Sequence, residues 1–113
     1  EFEADYHLDC AEFAGKLFQR HIWLDAVIFD PPYSIEQAKR SYKLTGLHFT
    51  QAATQMINRW TVCKDLLAMI VKKNGLAISF GWSSTGFGIK RGFEIEEILL
   101  LNHGAGHYDT IIT

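Results

Sequence analysis

The pattern of apolar and polar residues alternates between helical and strand-like segments. Apolar residues at helical spacing in CAEFAGKLFQ, residues 10–19, predict an amphipathic helix. Asp9 stands directly before it, where a helix N-cap is expected. The apolar run LDAVIF, residues 24–29, predicts a buried strand, and residues 6–8 predict a shorter one.

The middle of the chain continues this alternation. Residues 33–48 are polar and basic and predict a loop with at most a turn of helix. Residues 50–73 form the longest helical pattern, with Thr50 as its cap and Gly75 just beyond its end. The run GLAISFGW, residues 75–82, predicts a second buried strand.

The last part of the chain predicts a glycine-rich loop or short helix at 83–92, then strands at about 93–102 and 107–113. Strands separated by helices favour a parallel sheet. We therefore predict a single α/β domain spanning residues 1–113, with a mostly parallel sheet that ends in an antiparallel hairpin.

Ligands of open parallel sheets bind beyond the carboxyl ends of the strands. Three unusual segments are predicted to share that edge, namely residues 30–33, 80–82 and 103–108. The first of them contains both prolines of the protein, side by side. This convergence predicts a functional site at the edge of the sheet.

Charge is distributed unevenly along the chain, although its net value is only −2. Residues 34–92 carry nine basic and two acidic side chains, a net of +7, whereas the flanking parts carry −5 and −4. A basic middle suggests an anionic partner for one surface, and a solvated lysine-rich helix face is the alternative.

Composition points to a cytoplasmic protein with no membrane contact. The 113 residues are 48% hydrophobic, and no apolar run reaches the length of a membrane span. The acidic start of the sequence does not resemble a signal peptide. Cys10 and Cys63 lie far apart in sequence without metal-ligand spacing, so we expect reduced thiols.

The segment Asp30-Pro31-Pro32-Tyr33 combines groups that suit a planar ring bearing an amino group. Asp30 offers a carboxylate, and Pro31 offers a carbonyl. The two prolines stiffen the turn, and Tyr33 supplies a flat face for stacking. Two acceptors on one amine would withdraw its lone pair from the ring and make the nitrogen nucleophilic.

This DPPY segment after an apolar strand resembles the catalytic motif of the DNA amino-methyltransferases, which methylate adenine N6 or cytosine N4 with S-adenosylmethionine. Other stretches resemble small phage-type adenine-specific methylases in the expected order, namely YHLDCAEF, GLAISFGWSSTGFG, RGFEIEEILLLNHG and HYDTIIT. The resemblance implies a partial, Rossmann-like methyltransferase fold, and its later segments favour adenine over cytosine.

The resemblance also implies roles for particular residues. The base would flip out of the duplex and stack on Tyr33, while Asp30 and the Pro31 carbonyl hold its amino group. The implied catalytic residues are Asp30, Pro31, Pro32 and Tyr33; the cofactor residues are Asp9 and Phe80; and the DNA residues are Trp82, His107, Tyr108, Lys39, Arg40 and Lys43. Relatives are expected to carry Asn where Tyr108 stands.

Simpler roles are open for several of these residues. Phe80 and Trp82 can be core aromatics, and Asp9 can serve only as a helix cap. His103 and His107 are four residues apart, but the glycines between them favour hydrogen bonds in the hairpin over a metal site.

The glycine-rich cofactor motif of the family is expected before residue 5 or after residue 113, and Gly86-Phe-Gly88 lies in a different loop. The chain therefore looks like the catalytic half of a methylase, and a homodimer or a partner chain is expected to cover the open edge of the sheet. The alternative function is a non-catalytic remnant that binds nucleic acid or assembles with other subunits. Methylation of RNA or of protein glutamine is less favoured, because glutamine methylases usually carry Asn in place of Asp30.

Overall fold

The computed structural model describes residues 5–6, 8–44, 56–104 and 109–113 of an α/β domain. Its elements follow in the order α1 (Cys10–Gln19), β1 (Leu24–Phe29), α2 (Ile35–Leu44), α3 (Met56–Ile70), β2 (Val71–Gly81), a 3-10 turn (Ile89–Arg91), β3 (Leu99–Leu101) and β4 (Thr110–Ile112).

Helix α1 begins and ends where the sequence predicts. The Asp9 carboxylate accepts a hydrogen bond from the Ala11 N–H at 3.0 Å, which confirms its capping role. Ala14 and Leu17 are buried on one face of the helix, which packs against α3. Strand β1 also has its predicted bounds, whereas residues 6 and 8 lie outside any strand.

Helix α2 replaces most of the predicted loop at 33–48. The hydroxyl oxygen of Ser34 accepts a hydrogen bond from the Gln37 N–H at 3.2 Å, and the Gln37 side chain accepts one from the Tyr33 N–H at 2.6 Å. Together these bonds satisfy N–H groups at the start of the helix, which have no partner within it. The prediction of a loop was wrong because this Ser-x-x-Gln pattern was overlooked.

Helix α3 ends at Ile70, earlier than predicted, and β2 starts at the next residue. Pairing with β1 draws this segment into the sheet, since Leu24 pairs with Val71 and Ala26 with Leu76. The extra residues of β2 form a bulge in which Asn74 has a φ of 64°. The predicted cap Thr50 lies outside the described residues.

The four strands form one mixed sheet in the order β1-β2-β4-β3. Strands β1 and β2 are parallel, and β4 is antiparallel to both β2 and β3. The α/β class and the terminal hairpin are therefore confirmed. The prediction of a mostly parallel sheet needs correction, because β4 folds back between β2 and β3, and only one of the three neighbouring pairs is parallel.

The hairpin strands are shorter than predicted. Strand β3 covers only Leu99–Leu101 of the expected 93–102, and β4 covers Thr110–Ile112 of the expected 107–113. Among the described strands, β3 pairs with β4 alone. The hydrogen-bonded pairing of β3 is therefore limited by the length of β4, which has three residues.

The core lies on one face of the sheet. Val27 and Phe29 of β1 are buried there, but Ile28 between them points to the other face and is 68% exposed. The prediction of a buried strand therefore holds only in part, because Val27 and Phe29 are the residues of β1 that the described parts of the chain bury. The buried apolar cluster comprises Ala14, Leu17, Val27, Phe29, Cys63, Leu67, Ile70 and Phe87.

The two cysteines meet where α1 packs against α3, and both are free thiols. Burial, followed by a hydrogen bond with Cys63, raises the pKa of Cys10 to about 12. The Cys10 thiol is therefore protonated at neutral pH and is a poor nucleophile. Among the described helices, none combines the length and apolarity needed to cross a membrane.

Candidate active site

The parallel pairing of β1 and β2 brings their carboxyl ends to the same edge of the sheet. Tyr33, just beyond β1, and Trp82, just beyond β2, make an edge-to-face contact there. Their ring centroids are 6.0 Å apart, and the ring planes are inclined by 61°. Two of the three segments predicted to share this edge therefore meet.

The Tyr33 hydroxyl donates a hydrogen bond to Oδ1 of Asp30 at 2.6 Å. Burial and then this bond raise the pKa of Tyr33 above its usual range. The phenol consequently keeps its proton at neutral pH and remains a donor. Because Pro31 and Pro32 stiffen the turn between the two residues, the Asp30–Tyr33 pair has a restricted geometry.

The hairpin approaches the same edge through Thr110 of β4, and His103 comes from the third predicted segment. Thr110 is buried and lies close enough to the Tyr33 side chain to act to lower its pKa. Nε2 of His103 lies 2.9 Å from the Thr110 hydroxyl oxygen. Asp30 and Tyr33 therefore form one hydrogen-bonded pair, and Thr110 and His103 form a second pair near it.

His103 thus makes the hydrogen bond in the hairpin that the sequence favoured. Its backbone N–H also donates to the Asp109 carboxylate at 3.3 Å. Within the described part of the chain, no cluster of three or more His, Cys, Asp or Glu side chains has the arrangement of a metal site. The predicted base contacts His107 and Tyr108 lie outside the described residues.

An open groove of about 410 Å³ lies beside the DPPY segment. Pockets for small planar ligands fall in this range of volume. One wall of the groove is the DPPY segment, and the other is a face of α2, whose contributing residues are three and four positions apart. The lining residues are Asp30, Pro31, Pro32, Tyr33, Gln37, Arg40 and Ser41.

The predicted phosphate-binding residues Lys39, Arg40 and Lys43 all lie exposed on α2 rather than on a loop. Arg40 lines the groove, whereas Lys39 and Lys43 are absent from its lining. Trp82 reaches the site through its contact with Tyr33. Phe80 is half-buried within β2, where it pairs with Ile112 and does not line the groove.

Part of the basic middle of the chain makes internal contacts. The Lys64 ammonium donates to the Gly86 carbonyl at 2.6 Å and lies 5.3 Å from the centre of the Phe29 ring. Burial, and then the nearby Arg91, lower the pKa of Lys64. Arg91 pairs with Asp65 at 2.6 Å. These contacts fasten the 83–92 loop to α3, so not all of the positive charge is available to an anionic partner.

Sequence reasoning missed Gln37 and Thr110. The Ser-x-x-Gln pattern was a usable signal for Gln37, which fixes the Tyr33 backbone. Thr110 carried no comparable signal, because a threonine in an apolar strand is ordinary. Only the pairing of β4 beside β2 brings it to the Asp30–Tyr33 pair.

Gly86-Phe-Gly88 does not form an open glycine-rich turn. Gly86 has a φ of 51°, and a side-chain carbon there would meet Thr113 at 3.0 Å, so Gly86-Phe-Gly88 is packed against the sheet. Asp9, the other predicted cofactor residue, caps α1. The cofactor-binding roles of Asp9 and Phe80 stay predictions.

Comparison of the chain with protein-family models, with curated proteins and with solved structures finds no match in any of the three.

Proposed function

We propose that the groove binds the exocyclic amino group of a flipped DNA base, adenine N6, as the acceptor in S-adenosylmethionine-dependent methyl transfer. The observation that carries this proposal is the hydrogen-bonded Asp30–Tyr33 pair, which lines a groove large enough for a small planar ligand. The mixed α/β sheet with its terminal hairpin is compatible with the fold that the sequence resemblance implies.

The pair leaves a defined place for the amine. Tyr33 binds Oδ1 of Asp30, so Oδ2 and the Pro31 carbonyl are the acceptors that the two amino hydrogens would meet. Accepting both hydrogens draws the nitrogen lone pair out of the ring and directs it at an electrophile. The cofactor, when bound, supplies the methyl group. The residues of this chain orient the nitrogen, and such positioning provides much of the rate enhancement.

The same groove offers recognition of the rest of the nucleotide. The rings of Tyr33 and Trp82 provide aromatic surface for an unstacked base, and base–aromatic stacking contributes about 1–3 kcal/mol. Arg40 places a guanidinium on the wall of the groove, where it would meet a backbone phosphate. Lys39 and Lys43 on the same helix would add attraction for DNA.

A second candidate function is a non-catalytic module that binds DNA or another subunit. The observation favouring it is the packing of Gly86 against Thr113, because this glycine pair is then not open to a cofactor. In that case the Asp30–Tyr33 pair would be inherited from a methylase without serving in methyl transfer. A second copy or a partner chain that holds the cofactor would restore the first function.

Substitution of Asp30→Ala separates the two functions. We expect methyl transfer from labelled S-adenosylmethionine to adenine-containing DNA to fall by about 100-fold or more, since a preorganised polar contact is lost, while DNA affinity is retained. The matched control is Asp25→Ala on the strand that precedes Asp30, because Asp25 is 85% exposed and pairs with Lys72 at the surface.

Activity in the wild type and in Asp25→Ala, but not in Asp30→Ala, would support the enzyme. DNA binding by the wild type without methyl transfer at saturating cofactor would support the non-catalytic module. Equal activity in Asp30→Ala and the wild type would contradict the proposed role of the groove.

A further inference from the structure

We propose that Gln37 determines which bases the groove accepts, by donating a hydrogen bond from Nε2 to a ring nitrogen beside the amino group of the bound base; this role rests on the proposed function of the groove. The ligand class is a planar ring in which an amine and an acceptor nitrogen are neighbours, as in adenine. Asp30 and the Pro31 carbonyl would hold the amine, and Gln37 would bind the acceptor.

The orientation of the Gln37 amide follows from its contact with Tyr33. The Tyr33 backbone N–H can only donate, so its partner at 2.6 Å must be the amide oxygen, Oε1. Nε2, with its two hydrogens, therefore occupies the other position of the amide. Among the described residues, Nε2 has no hydrogen-bond partner. The amide thus keeps two donors for a ligand of the groove that Gln37 lines.

The Gln37 side chain is anchored before any ligand binds. Its backbone N–H donates to the Ser34 hydroxyl oxygen at 3.2 Å, and its carbonyl accepts from the Ser41 hydroxyl at 3.1 Å. The bond from Tyr33 holds the far end of the side chain. Because the main chain and the amide oxygen are both held, little side-chain freedom is lost on binding, and this favours recognition by Gln37.

The polar groups of the groove are separated by type. The DPPY wall carries acceptors, the Asp30 carboxylate and the Pro31 carbonyl, whereas the α2 wall carries donors on Gln37 and Arg40. Adenine presents its N6 hydrogens between two acceptors, N1 and N7, and therefore matches this arrangement. Arg40 lies nearly one turn further along α2 and carries a full charge, so it suits a backbone phosphate better than a ring nitrogen.

A donor in this position has two consequences for a bound ring. A ring without the acceptor would cover the Gln37 amide and leave its hydrogens unpaired, so the groove would reject it. A ring with the acceptor would be fixed against rotation about its amine. Its nitrogen lone pair would then keep one direction, which is the condition for efficient transfer to a fixed electrophile.

The test measures nucleoside binding to the whole chain without DNA or cofactor. Adenosine is compared with 7-deazaadenosine and 1-deazaadenosine, in which a C–H group replaces N7 or N1. The readout is the pair of NMR signals from the Gln37 side-chain amide, identified by their absence in Gln37→Glu. Glutamate keeps an acceptor for the Tyr33 N–H and removes both donors. The matched control is Gln19→Glu, the same change at the exposed end of α1 and outside the groove lining.

We expect adenosine to shift the Gln37 signals, and we expect one of the two analogues to bind about fivefold or more weakly than adenosine. The weaker analogue identifies the ring nitrogen that Gln37 binds. Gln37→Glu should bind adenosine as weakly as that analogue and should not distinguish the two, because either change removes the same bond. Gln19→Glu should keep the wild-type preference.

Three results would overturn the proposal. They are equal binding of the three nucleosides by the wild type, an undiminished preference in Gln37→Glu, and no binding of adenosine at all. Methyl transfer to DNA is measured separately on the wild type. If the preference depends on Gln37 but no methyl is transferred, then the proposed function fails while the recognition role holds. If methyl is transferred but the preference survives in Gln37→Glu, then the recognition role alone fails.

Discussion

At the scale of single residues, the bond between Tyr33 and Asp30 makes stability depend on pH. The pKa of Tyr33 is raised above its usual value of 10.0, first by burial and then by Asp30. The unfolded chain therefore loses this proton at a lower pH than the folded chain does. The contribution to stability is fully present below about pH 10 and is lost as the pH rises from there toward the folded pKa.

We expect Tyr33→Phe to remove this contribution while keeping the ring. Urea unfolding of both proteins, measured between about pH 8 and about pH 11, should show the advantage of the wild type shrinking as the pH rises. The two proteins share every other side chain, so the difference between them isolates Tyr33. A difference that stays constant over this range would contradict the assigned pKa shift.

Some residues of the site could be predicted from the sequence, and others could not. Asp30 and Tyr33 could be predicted, because adjacent prolines at the end of an apolar strand are unusual and their chemistry is specific. Thr110 could not, because its role comes from a contact made by β4. Contacts between residues far apart in sequence follow from strand pairing, which local patterns do not specify.

At the scale of the elements, helix boundaries followed their capping signals. Asp9 predicted the start of α1, and the helical spacing of the apolar residues that follow it predicted the length of the helix. The Ser34–Gln37 pattern offered the same kind of signal for α2, but the polar composition of that segment hid it. The end of α3 could not be predicted, because tertiary pairing with β1 overrides helix propensity at Val71.

The bulge in β2 depends on Gly75. A side-chain carbon at this position would lie 2.6 Å from Val71 Cγ1 and 2.9 Å from the Lys72 carbonyl oxygen. We expect Gly75→Ala to lower the free energy of unfolding by about 1–3 kcal/mol, because a backbone atom and a β-branched side chain cannot both move aside.

Gly15→Ala provides the comparison for this substitution. Gly15 lies inside α1, and a side-chain carbon there meets nothing within 4 Å. Alanine should raise the free energy of unfolding by about 0.5–1 kcal/mol through helix propensity. Thermal unfolding of both variants tests these two predictions. Destabilisation by Gly15→Ala or stabilisation by Gly75→Ala would show that the packing around that glycine differs from the packing in the structure.

At the scale of the whole molecule, the described residues cover one face of β1 more than the other. Val27 is buried beneath the helices, whereas its neighbour Ile28 points to the open face. We expect Val27→Thr to cost about 1–3 kcal/mol by burying a hydroxyl without a partner. Ile28→Thr keeps a β-branched residue in solvent and should cost less than about 0.5 kcal/mol.

Chemical denaturation across a range of protein concentrations tests this contrast. An equally large cost for Ile28→Thr, growing with concentration, would mean that another copy of the chain covers the open face. Sedimentation at the same concentrations would then be expected to show association.

The class of the fold could be predicted from the alternation of helical and apolar strand segments, whereas the arrangement of its strands could not. Strands β3 and β4 have three residues each, which is too short for a clear alternating pattern. Nothing in HYDTIIT indicates that β4 lies between β2 and β3 rather than at the outside of the sheet.

The position of β4 also sets an order of events during synthesis. The chain that leaves the ribosome carries Asp30 and Tyr33 early, and β3 follows with β4 as its only neighbour among the described strands. Until β4 emerges, β3 has no partner among the described strands, and the His103 ring lacks the Thr110 hydroxyl to which it bonds. The insertion of β4 therefore joins β3 to β2 in a single step, so a nascent chain lacks the described four-stranded sheet until this strand is made.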